Sequence, residues 1–158
     1  MRLTSPAFQH DAPIPPRYTG DGEDLSPALS WSGVPAGTQE LALICDDPDA
    51  PTPQPWVHWI IYGIPANVTE LPEGVPGGGR LSSPVSALQG KNSWSSGRTL
   101  GYRGTAPPRK HGTHHYHFRL YALDSPLKAN PSLDKDALLA AMAGHILAEA
   151  ELVGTYER

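Results

Sequence analysis

Four of the chain's seven histidines fall within HGTHHYHFRLYALD, at positions 111, 114, 115 and 117. Imidazoles at this density suit three chemistries: metal ligation, proton transfer beside a carboxylate, or reception of an anionic oxygen. Two further segments supply partners. ELALICDD ends on Asp46 and Asp47, and WVHWIIYGI carries His58 near its start. Side chains two apart on a strand share a face. One row is therefore Leu41, Leu43, Cys45 and Asp47, a second is His58, Ile60 and Tyr62, and a third is His114, Tyr116, Phe118 and Leu120. Each apolar row carries an ionisable or hydroxyl group at one end. Such a group at the rim of a core needs partners, because unpaired burial costs about 1–3 kcal/mol. The arrangement that satisfies all four brings Asp47, His58, His114 and Tyr116 together. Asp47 then accepts from one imidazole and fixes its tautomer. The other imidazole and the Tyr116 hydroxyl remain as donors around a small opening, suited to a phosphate or carboxylate oxygen.

The alternatives are weaker on the same residues. His115 and His117 share a strand face and could chelate with His111. No second ligand cluster has structural-zinc spacing, however, and the only thiol, Cys45, lies on another strand. His111, His115 and His117 read as an exposed outer row, and no metal site is expected. Asp47 with His58 or His114 looks like two members of a triad. The nucleophile is missing: no G-x-S-x-G elbow occurs, Cys45 sits in mid-strand, and Ser93, Ser95 and Ser96 lie in a loop that nothing anchors. Catalysis is not expected, and no residue pattern calls for a cofactor.

The elements that must hold these groups are short strands. A chain of 158 residues is large enough for one domain, 1–158, with its own core. Its 18 prolines and 16 glycines favour strands joined by ordered turns. Leu3 to Phe8 reads as an edge strand, 11–24 as loop, Ala28 to Trp31 as a short strand, and 34–39 as a turn. Glu40 to Asp47, Trp56 to Ile64 and His114 to Leu123 read as the main strands. Residues 65–108 read mostly as loop. One helix is expected from Asp134 to about Ile146, capped by Asp134 or Ser132, with Leu138, Met142 and Ile146 on its apolar stripe. A last strand, Leu147 to Tyr156, follows. The net charge of −4 and the absence of a basic block give no footprint for nucleic acid. No stretch approaches the roughly 20 apolar residues of a membrane span. MRLTSPAFQHDAP lacks an apolar h-region, and the single cysteine fits a cytoplasmic setting.

Six segments together resemble the phosphatidylethanolamine-binding protein family in its bacterial Raf-kinase-inhibitor-like branch. They are YTGDGEDLSPALSW (18–31), DDPDAP (46–51), WVHWIIYGIPA (56–66), GYRGTAPP (101–108), GTHHYHFRLYALD (112–124) and GHILAEAELVGTY (144–156). The pairing of D-P-D-x-P with G-x-H-x-Y carries the specificity. The resemblance implies a β-sandwich of two antiparallel sheets with few helices, and a small pocket for phosphoryl groups. By position that pocket takes Asp47, Asp49 and Pro51, then Trp56 and His58, then Gly104 and Pro108, and is closed by His114 and Tyr116. It also implies a homodimer, and it allows an inhibitor of proteases or kinases acting through the 65–108 loop. Many bacterial relatives read G-P-C-P-P where this chain has Gly104-Thr105-Ala106-Pro107-Pro108. Many also carry Cys where Gly20 stands and Arg where His115 stands. The first departure is expected at the pocket rim and the other two outside it. The function expected is non-catalytic and regulatory, through a small phosphorylated or otherwise anionic ligand.

Overall fold

The computed structural model describes all 158 residues. In chain order the elements are β1 (Arg2–Thr4), β2 (Ala12–Pro13), β3 (Leu29–Ser32), β4 (Glu40–Asp47), β5 (Trp56–Pro65), β6 (Glu70–Leu71), β7 (Arg80–Leu81), β8 (Ala87–Gln89), β9 (His114–Leu123), α1 (Lys135–Met142) and β10 (Ile146–Tyr156). They form two sheets. The larger has the order β2-β10-β9-β4-β5-β8-β7, and the smaller β1-β3-β6. Pairing is antiparallel except between β10 and β2, which run parallel over Gly154 and Thr155.

β4 is central and covered on both faces, which is why ELALICDD is apolar without alternation: from Leu41 to Asp47 every residue is buried. Leu41, Leu43 and Cys45 join the core between the sheets, with Leu3, Leu29, Trp31 and Leu71 of the small sheet. Ala42 and Ile44 join a second core under α1, with Leu138 and Met142. The first core holds 22 buried residues and the second nine, so the sandwich carries most of the burial. Lys135 of α1 is tied to the sheet by a 2.6 Å ion pair to the buried Asp46, which Arg119 also reaches at 3.3 Å.

Several expectations change. The helix ends at Met142, because Gly144 follows at φ +81, and Ile146 is the first residue of β10 with 40% of its surface exposed. Asp134 is the cap, accepting from the Ala137 amide at 2.8 Å. The N-terminal strand is three residues long. The 65–108 stretch contains β6, β7 and β8, and the 11–24 stretch contains β2. These strands of two or three residues are too short to show a period. Finally, the row His58, Ile60, Tyr62 does not share one face. Ile60 and Tyr62 face α1 with Val57, whereas Trp59 and Ile61 face the small sheet. A bulge between the Cys45–Trp59 and Asp46–Val57 pairs changes the parity at His58. A second register shift lies where Gly63 adopts φ +67, a conformation open to glycine.

Candidate functional site

β4 runs antiparallel to both β5 and β9, so its C-terminal end lies beside both of their N-terminal ends. Asp47 is opposite Trp56, and Asp46 opposite His117. The three polar strand ends therefore meet in one place. They line a cavity of about 170 Å3, walled by Asp47, Trp56, His58, His114 and Tyr116 from the strands. Ala50, Pro51 and Thr52 close it from the β4–β5 turn, Ala106, Pro107 and Pro108 from a second loop, and Trp94 from a third. Drug-sized ligands occupy pockets of about 300–1,000 Å3, so this one admits a small head group or a few waters of about 30 Å3 each.

The hydrogen bonds distinguish the two histidines. His114 Nδ1 lies 2.7 Å from Asp47 Oδ2, with both side chains buried. Asp47 Oδ1 accepts from the Asp49 amide at 2.8 Å and shapes the proline-rich turn. His114 Nε2 is also engaged, 2.6 Å from His111 Nδ1. Asp47, His114 and His111 thus form a string from the core to the surface, and His114 has no nitrogen left for a ligand. His111 belongs to this string rather than to an unconnected outer row.

His58 is the imidazole left facing the cavity. Its Nδ1 lies 2.7 Å from the Arg103 carbonyl, which can only accept, so Nδ1 carries the proton. Nε2 is then a lone-pair acceptor while the ring is neutral and a donor only when it is protonated. Burial lowers the His58 pKa from its ordinary 6.5, against smaller opposing effects of the Arg103 carbonyl and Asp47. Asp47 pairs with one imidazole, that of His114, and the expectation for the other is corrected: His58, oriented by the Arg103 carbonyl, donates into the cavity only after taking up a proton.

The Tyr116 hydroxyl is buried and has no hydrogen-bond partner of ordinary geometry. Burial first, and Asp47 second, raise its pKa well above the usual phenol value; nearby Thr105 offsets part of this without closing a bond. It is a neutral donor at any physiological pH. The rings pack edge to face: His58 against Tyr116 at 5.2 Å, His58 against Trp94 at 5.3 Å, and Trp56 against Trp94 at 5.3 Å. Arg103 lies over Trp94 at 4.7 Å and donates to the Ser96 carbonyl, so it holds the third loop in place.

Of the nine residues expected, Asp47, Pro51, Trp56, His58, Pro108, His114 and Tyr116 line the cavity. Asp49 stands outside it, accepting from the His115 amide and ring at 2.8 Å each. Gly104 also stands behind the wall. Its amide donates to Asp24 Oδ1 at 2.7 Å, and a Cβ there would lie 2.4 Å from both that oxygen and the Tyr18 carbonyl. Gly104→Ala is therefore expected to destabilise the protein by about 1–3 kcal/mol by forcing the rim loop outward, as read by thermal unfolding. Trp94 and Asp24 were not anticipated. Both come from irregular segments, where spacing says nothing about direction. Two departures noted above prove to be one place: a Cβ at Gly20 would lie 3.2 Å from the Cβ of Ala106, which lines the cavity.

None of Cys45, Ser93, Ser95 and Ser96 lines the cavity, and the hydroxyl of Thr52, which does, donates to the Gln54 carbonyl. Cys45 is buried in β4, its thiol pKa pushed up by burial, and Ser93 Oγ accepts from the Val57 amide at 2.7 Å. No group of three or more His, Cys, Asp or Glu is placed to hold a metal ion.

Comparison with known proteins agrees with this architecture. The family model for phosphatidylethanolamine-binding protein matches residues 4–157. A curated relative from Methanothermobacter thermautotrophicus, a UPF0098 protein, is 53% identical over all of this chain and 99% of its own length. A crystal structure of a homologue from Chlamydia trachomatis superposes with a TM-score of 0.87 at 40% identity, covering 99% of this chain and 97% of that one. YbcL from Escherichia coli, described as a member of the mammalian family, gives 0.88 at 32% identity, over 99% and 98% of the two chains. The chain is a β-sandwich with a small cavity at the ends of three strands. It belongs to the phosphatidylethanolamine-binding protein family, in the bacterial and archaeal group that includes the UPF0098 proteins.

Proposed function

We propose that the cavity receives one anionic oxygen group, phosphoryl or carboxylate, and that the protein is a non-catalytic, regulatory binder. The unpartnered Tyr116 hydroxyl carries this reading. A buried donor left open is costly to the fold, and a ligand oxygen is the partner it lacks. His58 Nε2 supplies the second contact. No lysine or arginine lines the cavity, and Asp47 adds negative charge beside it. The ligand's charge must therefore be met by a proton, taken up at His58 Nε2 to give a short, charge-assisted bond.

Proton uptake fixes the sign of the pH dependence. Ethanesulfonate keeps its charge across the range and isolates the protein's own titration. Its affinity is expected to rise as pH falls, by up to about tenfold per unit above the pKa of His58 in the free protein, and to level off below it. Calorimetric titration from pH 5 to pH 8 reads this. An affinity flat across that range would remove His58 from the mechanism.

The same shift bears on stability. The folded pKa of His58 lies below its ordinary 6.5, so its contribution is fully present above pH 6.5 and is lost as pH falls toward the folded value. The ligand-free protein is expected to lose stability below about pH 6.5, and a saturating anion to restore it. Thermal unfolding with and without ethanesulfonate checks both halves.

A further inference from the structure

β10 forms one side of the larger sheet, and only part of its free edge is covered. Val153 presents its carbonyl to the Asp11 amide at 2.8 Å and its own amide to His10 Nδ1 at 3.0 Å. Thr155 presents its carbonyl to the Ile14 amide at 2.7 Å. The outward-facing peptide groups are therefore those of odd-numbered residues. The register with β9 is regular from Ala148 to Tyr156, so the peptide groups of Glu149 and Glu151 face the same way. Neither has a strand beside it, since β2 pairs only at Gly154 and Thr155. At this point a groove of about 780 Å3 opens between β10 and β1. The core residues Leu3, Phe8, Ala150 and Leu152 form an apolar strip in it, flanked by polar side chains that include Thr4, Ser5, Gln9 and His10.

We propose that this edge accepts an extended protein segment, added as a strand beside β10, in which apolar and basic residues alternate. The backbone of Glu149 and Glu151 supplies the pairing. Residues directly opposite on neighbouring strands share a face. Those opposite Ala148, Ala150 and Leu152 point toward the apolar strip. Those opposite Glu149 and Glu151 point to the outer face beside two carboxylates. Glu151 is already met by Arg119 Nε at 2.9 Å and His117 Nδ1 at 3.2 Å, whereas Glu149 has no ion pair. A second copy of this chain is a poorer occupant: antiparallel pairing of two β10 edges here sets acid against acid, which is destabilising.

The probe is the peptide acetyl-SKVKVKVS-amide, with acetyl-SEVEVEVS-amide and acetyl-SKKKVVVS-amide as controls, read by amide exchange and chemical shift. The alternating lysine peptide is expected to slow exchange at the Glu149 and Glu151 amides and to bind about tenfold more tightly than the glutamate peptide. Glu149 is exposed, so Glu149→Lys leaves the core intact and is expected to reverse that order. Equal protection by the block-ordered lysine peptide overturns the proposal. So does a preference unmoved by Glu149→Lys, or protection of the same two amides on raising protein concentration without peptide.

Discussion

Replacing Tyr116 by Phe is expected to leave the protein at least as stable as before and to weaken anion binding by about tenfold to a hundredfold. Both halves follow from one atom. The hydroxyl is buried without a partner, so removing it removes an unsatisfied donor, and stability changes by between about zero and a gain of 1 kcal/mol. In the occupied cavity the same hydroxyl donates to a charged oxygen, a bond worth about 1.5–3 kcal/mol, which sets the loss of affinity. The ring and its edge contact with His58 survive the change. Thermal unfolding and titration with ethanesulfonate read the two halves separately. The opposite pattern, a less stable protein with unaltered affinity, would mean that the hydroxyl serves the fold through Thr105.

Asp47→Ala is expected to act mainly on the fold. It leaves His114 Nδ1 without its acceptor in a buried site, and it frees the Asp49 amide that shapes the β4–β5 turn. Removing one member of a buried, hydrogen-bonded pair is expected to cost about 3 kcal/mol. For a domain of this size that lowers the melting temperature by about 6–12 °C. Asp47→Asn keeps one side-chain oxygen to accept from His114 but turns its NH2 toward the Asp49 amide, and is expected to cost less than alanine, about 1–2 kcal/mol. An alanine variant no less stable than the asparagine one would show that the Asp47–His114 contact contributes nothing to the folded state.

The sequence displays the frame of the site more clearly than its wiring. β4 and β9 are bounded as their residues suggest: β4 is a continuous buried run that starts after a turn and stops at Asp46-Asp47, and β9 alternates buried with more exposed residues from His114 before it becomes fully buried up to Leu123. Parity on those two regular strands puts Asp47, His114 and Tyr116 on core-facing rows, and the sheet order, which sets β9 beside β4, brings them together. His58 also arrives, but the row that argued for it is broken by a bulge, and a one-residue insertion leaves no mark in a run as uniformly apolar as WVHWIIYGI. Trp94, Asp24 and the His111–His114 contact depend on how loops fold back, and loop direction has no periodicity to read. Gly104 stands where its family motif puts it, yet its role is close backbone packing against Tyr18 and Asp24 rather than contact with the cavity. The free edge of β10 is hidden for a related reason: LAEAEL alternates as any edge strand does, and only the sheet order shows which neighbours are missing.

An anion in the cavity is to be held by the Tyr116 hydroxyl and by a proton gained at His58 Nε2. Histidine-resolved nitrogen NMR, recorded at pH 7 during titration with ethanesulfonate and then with O-phosphorylethanolamine, tests it most directly. His58 Nε2 is expected to move from the unprotonated to the protonated position as either ligand saturates, with His115 and His117 unmoved. The Tyr116→Phe variant should require at least about tenfold more ligand for the same change. Saturable binding that leaves His58 Nε2 unprotonated, or equal shifts across the exposed histidines, would contradict it.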